Sequence, residues 1–288
     1  MRRVLSLLLA AAMPWLVPAP SAVAGGNDLD LLAFGRCIES PASTCVRVVD
    51  DEAGFVLLAR DMGLAIMPLA PIAADTLGVA GFTLQLVHGL HGVDTSADHW
   101  RAAENPGSGL STTHISVRKG LPYSVDIGAH FGTVWNSELY TIGADLRIAI
   151  DDSPIIWVPD FAIRGFASTM VGHPQFNLLS TGADFLIGKS IGIGHVVNIT
   201  PFAGYGLSVI VASTRLIDAD PEVNRQAVTN TDNPNASYQS EFAFSPDADI
   251  VHRGIAGLRF QFAVGEIAYQ AQVSETMIQH GIMLGLRF

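Results

Sequence analysis

The sequence predicts an all-β fold, a transmembrane, antiparallel, up-and-down β-barrel of about ten strands with a short N-terminal helical segment in front. From about Val79 onward, stretches of about ten residues alternate apolar with polar or small side chains, as barrel strands do. The mean hydropathy of the chain is +0.35. No later window of about 19 residues is apolar enough for a membrane helix, so the apolar residues are distributed along strands.

The alternation is clearest in residues 123–133, 140–150 and 195–211, where successive side chains fall on opposite faces of an extended chain. Seven further stretches bring the count to about ten, and bacterial single-chain barrels have even strand numbers. They are residues 79–92, 110–119, 156–170, 174–189, 250–262, 265–275 and 277–288. With this count the two longest connections, residues 93–109 and 212–249, fall on the extracellular side, where such barrels carry their longer loops.

The first 24 residues predict a cleaved export signal. Met1-Arg2-Arg3 precedes an apolar run, and Ala22-Val23-Ala24 supplies the small residues of a cleavage site. An uncleaved membrane helix fits poorly, because three prolines interrupt the run before it reaches the ~20 residues that span a bilayer. We therefore expect residues 1–24 to be removed, residues 25–75 to form a periplasmic segment, and residues 76–288 to form the barrel.

Within the predicted periplasmic segment, Phe55, Leu58, Ala59 and Met62 have helical spacing, and Pro68 ends the run. Cys37 and Cys45 are the only cysteines of the chain. An exported chain enters an oxidising compartment, so we expect them to form a disulfide. Because neither cysteine has histidine or acidic partners at ligand spacing, we expect no metal site and no cofactor.

The last predicted strand carries a residue pattern found in a known class of membrane protein. Its alternating residues and terminal aromatic resemble the assembly signal at the C terminus of Gram-negative outer-membrane β-barrel proteins. The residues concerned are Gln279, Gly281, Leu284, Leu286 and Phe288. The resemblance covers roughly residues 79–288. It is to the broad class and to no characterised family within it. It implies a location in the bacterial outer membrane and recognition by the barrel-assembly machinery.

The charge of the chain limits its partners. The formal net charge is −11 and no lysine or arginine cluster interrupts it, so a nucleic-acid partner is not expected. Aromatic residues near predicted strand ends are typical of the girdles that anchor barrels at the membrane interfaces. They are Tyr123, Tyr140, Trp157, Phe161, Tyr205, Tyr269 and Phe288. The expected partners are outer-membrane lipid and lipopolysaccharide, and the oligomeric state is left open.

Charged residues of both signs, with one histidine, fall on the predicted inward face. They are Arg118, Asp126, His130, Asp145, Arg147, Arg164, Asp184, Arg253, Arg259 and Arg287. One interpretation is an ion-pair network that replaces an apolar core, since a narrow barrel holds little more than side chains. The other is a narrow aqueous path lined by opposite charges. We therefore predict a small porin-like protein for small solutes, with a non-conducting structural or adhesive barrel as the alternative.

Two catalytic hypotheses carry less weight, and we expect no enzyme. His114 and Ser116 resemble the His-x-Ser pair of outer-membrane lipid A deacylases, but here the pair faces inward on the predicted strand. Asp94, Asp98 and His99 lie on the first long loop, where omptin-like proteases place their acidic residues and histidine. The spaced motifs of that family are not present.

Overall fold

The computed structural model describes residues 25–39, 45–69, 74–151, 158–194, 196–219 and 240–288, so the predicted export signal lies outside the described residues. Ten long antiparallel strands dominate the described chain. They are β1 Phe82–Gly92, β2 Leu110–Leu121, β3 Val125–Val134, β4 Tyr140–Asp151, β5 Asp160–Val171, β6 Phe176–Gly188, β7 Val197–Thr214, β8 Asp247–Phe262, β9 Gly265–Val273 and β10 Ile278–Arg287. Each pairs with the next along the chain, and β10 pairs with β1. The predicted ten-stranded, up-and-down barrel is confirmed.

The outer surface of the barrel is apolar. In β10, Ile282, Leu284 and Leu286 are 50%, 54% and 44% exposed, while the intervening Met283 is completely buried. Other strands alternate in the same way, with large aliphatic and aromatic side chains pointing outward. A continuous apolar exterior on a sheet without edges is the arrangement that a bilayer requires, because no backbone group is left unpaired in the hydrocarbon.

The two ends of the barrel differ. At one end, called the short-turn end, residues 122–124 join β2 to β3, and residues 263–264 join β8 to β9. Tyr123, Ser124 and Ala263 have positive φ there, which lets the chain reverse within a few residues. The long connections, residues 93–109 and 215–246, are both at the opposite end, called the long-loop end. This asymmetry places the long-loop end outside the cell.

Several short elements surround the barrel strands. Strands Gly35–Glu39 and Cys45–Asp50 pair as an antiparallel hairpin, and Ile217–Asp218 pairs with Glu241–Phe242. Ile191–Ile193 pairs with the first residues of β7. The two predicted disulfide partners lie on opposite strands of the first hairpin, but the side chain of Cys45 is outside the described residues, so the bridge stays a prediction.

The predicted helix is present as α1, Glu52–Ile66. Asp51 caps its N terminus by accepting a hydrogen bond from the backbone N–H of Gly54. The helix ends at Ile66, and Met67 is extended, as expected for the residue before Pro68. Most of its circumference is apolar and buried, with Leu58 and Leu64 completely inaccessible. Within the described chain, no helix is both long enough and apolar enough to cross a membrane.

The position of α1 differs from the expected periplasmic segment in front of the barrel, because the structure places the helix inside the lumen. The O atom of Leu64 accepts from Gln279 Nε2 on β10 at 2.8 Å, and Met67 Sδ accepts from Ser208 Oγ on β7 at 3.2 Å. The O atom of Pro68 accepts from Arg164 on β5 at 3.4 Å. One short segment can contact strands on different sides of a barrel only from within it. A helix that is apolar on most sides needs this enclosure, since one sheet face would leave much of it exposed.

The chain therefore runs through the barrel before it builds the wall. Asn27 donates its backbone N–H to the O atom of Asn136 at the long-loop end, and α1 follows into the lumen. Residues 74–77 lie near the short-turn end, and the turn at Gly78–Gly81 leads into β1. We call the described residues 52–69 and 74–77 the lumen segment.

Candidate functional site: a filled lumen

The outer part of the lumen is filled by aromatic and aliphatic side chains. Phe55 of α1 stacks on Phe244 with ring centroids 4.3 Å apart and meets Phe176 of β6 edge-on at 5.5 Å. Leu58 and Met62 belong to the same buried cluster, which also includes side chains from the inward faces of the wall. Close-packed apolar contacts of this kind exclude water from the outer mouth of the barrel.

Below this cluster, buried ion pairs follow the wall from β2 to β8, and we call them the ion belt. Arg118 lies 2.7 Å from Asp145, and Arg164 lies 3.4 Å from Asp145 and 3.2 Å from Asp184. Arg253 contacts the second oxygen of Asp184 at 2.6 Å. All five side chains are at most 3% exposed. Buried charges persist only when they are paired, so each carboxylate here holds its two arginines in place.

Inward glycines make room for the ion belt. A Cβ at Gly128 would lie 2.6 Å from Asp145 Oδ1, and one at Gly206 would lie 2.5 Å from Asp184 Oδ1. Gly128 on β3 is directly opposite Asp145 on β4, and Gly206 on β7 is directly opposite Asp184 on β6. The alternation of large charged side chains with glycine on neighbouring strands therefore lets long side chains lie flat against the wall.

A second charged cluster holds the end of the lumen segment near the short-turn end. Asp75 accepts from Arg259 Nη2 at 2.7 and 2.8 Å and from Arg287 Nη1 at 3.1 Å. Asp126 Oδ1 accepts from the backbone N–H of Leu77 at 3.2 Å, and its other oxygen accepts from Arg147. We call these contacts the Asp75 clamp. They fix the lumen segment to β3, β8 and β10 just before the chain turns into the wall.

The residues predicted for the lumen all lie on inward faces, where they line a filled interior. Counted as whole residues, Arg147 is 1% exposed and Arg164 2%, so the described residues leave no water-wide path past these two arginines. His130 Nε2 is 2.8 Å from Ser168 Oγ, and Arg287 at the short-turn end is only partly buried. Asp75, which pairs with Arg259 and Arg287, was missed in the sequence, because residues 69–81 have no periodicity that would place them in the lumen.

The predicted assembly-signal residues divide between the two faces of the last strand. Leu284, Leu286 and Phe288 are outward and exposed, whereas Gln279 is buried against α1 and Gly281 faces the lumen. Whether assembly machinery recognises them stays a prediction.

The geometry gives no support to either catalytic hypothesis. His114 and Ser116 both point into the lumen, and within the described chain neither nitrogen of His114 has a hydrogen-bond partner. At the long-loop end His99 Nε2 donates to Asp61 of α1 at 2.9 Å, while Asp98 pairs with Arg101. These contacts are structural links between loop and lumen segment. Among the described residues, no three histidine, cysteine or acidic side chains are grouped to hold a metal ion.

Comparisons with known proteins give only distant structural similarities. No family model and no curated protein matches the chain. Among solved structures, the KdgM porin in complex with disordered oligogalacturonate has 4% identity and a TM-score of 0.32, covering 72% of this chain and 99% of its own. Ail, the attachment invasion locus protein of Yersinia pestis, has 14% identity and a TM-score of 0.24, covering 73% and 99%. The translocator domain of the autotransporter NalP from Neisseria meningitidis has 8% identity and a TM-score of 0.33, covering 82% and 95%.

At these TM-scores and identities the likeness carries no information about activity. The assignment of the chain therefore follows from its own architecture. A closed sheet of ten strands with an apolar exterior, short turns at one end and long loops at the other is a bacterial outer-membrane β-barrel.

Proposed function

We propose that this outer-membrane barrel is closed in its resting form by its own lumen segment and acts through its long-loop end, as a structural or adhesive protein. The observation that supports this most is the contact of residues 64–68 with β5, β7 and β10 together. A helix held on several sides leaves no continuous aqueous path, so small-solute passage is the less favoured function. We also propose no catalytic step for the chain.

The long-loop end has features suited to a partner. The first hairpin and the loops around it expose apolar side chains that a purely solvated surface would not need. Leu32, Ile38, Val49 and Leu216 are 40%, 49%, 45% and 59% exposed. Exposed apolar groups clustered at the end of a rigid scaffold are typical of contact surfaces. Asp51, at the end of the hairpin, links it to the first long loop, because its carboxylate pairs with Arg101.

The direct test is single-channel conductance of the purified full-length protein in planar bilayers. We expect the wild type to be silent. A variant lacking residues 25–77 should give discrete steps if its barrel still folds, because the deletion removes the helix and the Asp75 clamp together. An Arg36→Ala variant, changed at the exposed hairpin, should remain silent as the matched control.

The porin hypothesis predicts the opposite result. Steady steps from the wild type, with an ion selectivity that changes in an Arg147→Ala, Arg164→Ala double variant, would show a conducting path past the Asp75 clamp and the ion belt. That outcome would replace the proposal of a closed barrel.

A further inference from the structure

Three histidines on the outer surface share one hydrogen-bond arrangement. His280 Nδ1 on β10 is 2.7 Å from the hydroxyl of Tyr269 on β9, and His88 Nδ1 on β1 is 2.9 Å from Thr113 Oγ1 on β2. His252 Nδ1 on β8 contacts the hydroxyl of Tyr205 on β7. In each pair a hydroxyl on a neighbouring strand meets the same ring nitrogen. The repetition indicates that the orientation of these imidazoles is specified.

The ring proton of these histidines lies on Nε2 wherever the hydroxyl partner donates to Nδ1. Trp135 Nε1 donates to Thr113 Oγ1 at 2.7 Å, so the hydroxyl proton of Thr113 is free to be donated to His88 Nδ1. A phenol that donates to an imidazole likewise makes Nδ1 the acceptor and places the ring proton on Nε2. Each outward imidazole then offers one N–H donor. A donor on an apolar, lipid-facing surface is costly unless an acceptor reaches it.

A cleft lies beside one of these donors. His280 lines a cavity of about 480 Å³ where β10, β1 and β2 reach the long-loop end. Ser108, Gly109 and Ser111 form its polar side, and Leu90 and Ile278 form its apolar side. The cleft thus combines hydroxyl and imidazole donors with an apolar flank, at the outer boundary of the barrel surface. His88 is near, because it pairs with Ile282, two residues beyond His280 on β10.

We propose that this cleft binds a phosphorylated lipid of the outer leaflet. The phosphate oxygens accept hydrogen bonds from His280 Nε2 and from the hydroxyls of Ser108 and Ser111, while an acyl chain lies against Leu90 and Ile278. A lipid matches the site better than a protein partner does. The flank continues into the exposed aliphatic surface around Ile282, which faces hydrocarbon, and donor groups suit a phosphate, which only accepts.

His252 and Tyr205 provide the matched control within the same molecule. They form the same type of pair on β7 and β8. Neither residue lines the cleft beside His280. A variant at His252 therefore removes an outward imidazole and leaves the proposed lipid site intact.

Native mass spectrometry of the full-length protein released from detergent micelles can count bound lipid, with bis-phosphorylated lipid A as the probe. We expect His280→Phe and the double variant Ser108→Ala, Ser111→Ala each to weaken binding by about tenfold or more, since hydrogen bonds to a charged group are lost. His252→Phe should bind as the wild type does. Lipid A stripped of its phosphates should bind the wild type as weakly as intact lipid A binds His280→Phe.

Two results would overturn the proposal: equal binding of the phosphorylated and stripped lipids, or equal loss in the His280 and His252 variants. The fixed tautomer has its own test. Imidazole ¹⁵N shifts in the wild type should show an Nε2-protonated ring at position 280, and Tyr269→Phe should mix the two tautomers while the barrel stays folded. A mixed ring already present in the wild type would remove the physical basis of the site.

Discussion

Asp75 accepts two hydrogen bonds from Arg259 Nη2, at 2.7 and 2.8 Å, and this contact joins the end of the lumen segment to the wall of the barrel. Arg287 reaches the same carboxylate at 3.1 Å. The two arginine contacts of Asp75 therefore link residues 74–77, which have no regular secondary structure, to β8 and β10. Their loss should affect both the stability of the barrel and the retention of the segment in the lumen.

Replacing Asp75 by alanine should destabilise the folded barrel strongly, by about 3 to 5 kcal/mol, because a buried arginine loses its counter-charge. Urea titration of the protein in micelles, followed by the mobility difference between folded and unfolded barrel, would measure this. The control is Asp98→Ala, whose side chain is 88% exposed beside Arg101. Loss of an exposed pair costs only about 0 to 1 kcal/mol. Equal effects of the two substitutions would contradict the Asp75 clamp.

The filled lumen makes a sharp prediction about two glycines on neighbouring strands. A Cβ at Gly206 would lie 2.5 Å from Asp184 Oδ1 and 2.7 Å from Arg253 Nη2, whereas the nearest atom to a Cβ at Gly254 is 3.9 Å away. Gly206→Ala should therefore cost about 1 to 3 kcal/mol by overpacking the ion belt. Gly254→Ala should be neutral or slightly stabilising. The same urea titration compares them, and tolerance of alanine at position 206 would mean that the lumen is open there.

Asp61 links the lumen segment to the first long loop. Its Oδ2 accepts from His99 Nε2 at 2.9 Å and from Trp100 Nε1 at 3.0 Å. Asp61→Leu should leave the buried indole N–H unpaired and loosen residues 93–109 from the barrel. Limited proteolysis should then cleave this loop several times faster than in the wild type. Glu104→Ala, an exposed change on the same loop, serves as the control, and unchanged cleavage of the Asp61 variant would show that the loop is held by other contacts.

The sequence predicted the barrel well because strand alternation is a local property. Each inward arginine or aspartate, such as Asp145 or Arg253, could be assigned to a face from its immediate neighbours alone. The position of α1 could not be predicted in this way, since an apolar helix before a barrel fits either a separate segment or a filled lumen. What decides between them is contact between residues far apart in the chain, such as Gln279 with Leu64. The hydroxyl partners of His88 and His280 depend on strand register, which alternation does not fix.

The N-cap of α1 predicts a measurable pH dependence at the mouth of the barrel. The backbone N–H of Gly54 and the guanidinium of Arg101 hold the pKa of Asp51 below its ordinary value of 3.8. A carboxylate whose pKa is depressed by folding stabilises the protein above its unfolded pKa, and this contribution is lost as the pH falls through the folded value.

Asp51→Ala should therefore destabilise α1 by about 1 kcal/mol at neutral pH, the usual effect of removing a cap. The difference from the wild type should shrink as the pH falls from about 4, near the unfolded pKa, through the lower pKa of the folded cap. Urea titrations of both proteins at neutral and acidic pH would test this. Asp50→Ala, one residue earlier and outside the cap, should show no such convergence, and a difference that stays constant with pH would contradict the cap's charge as the cause.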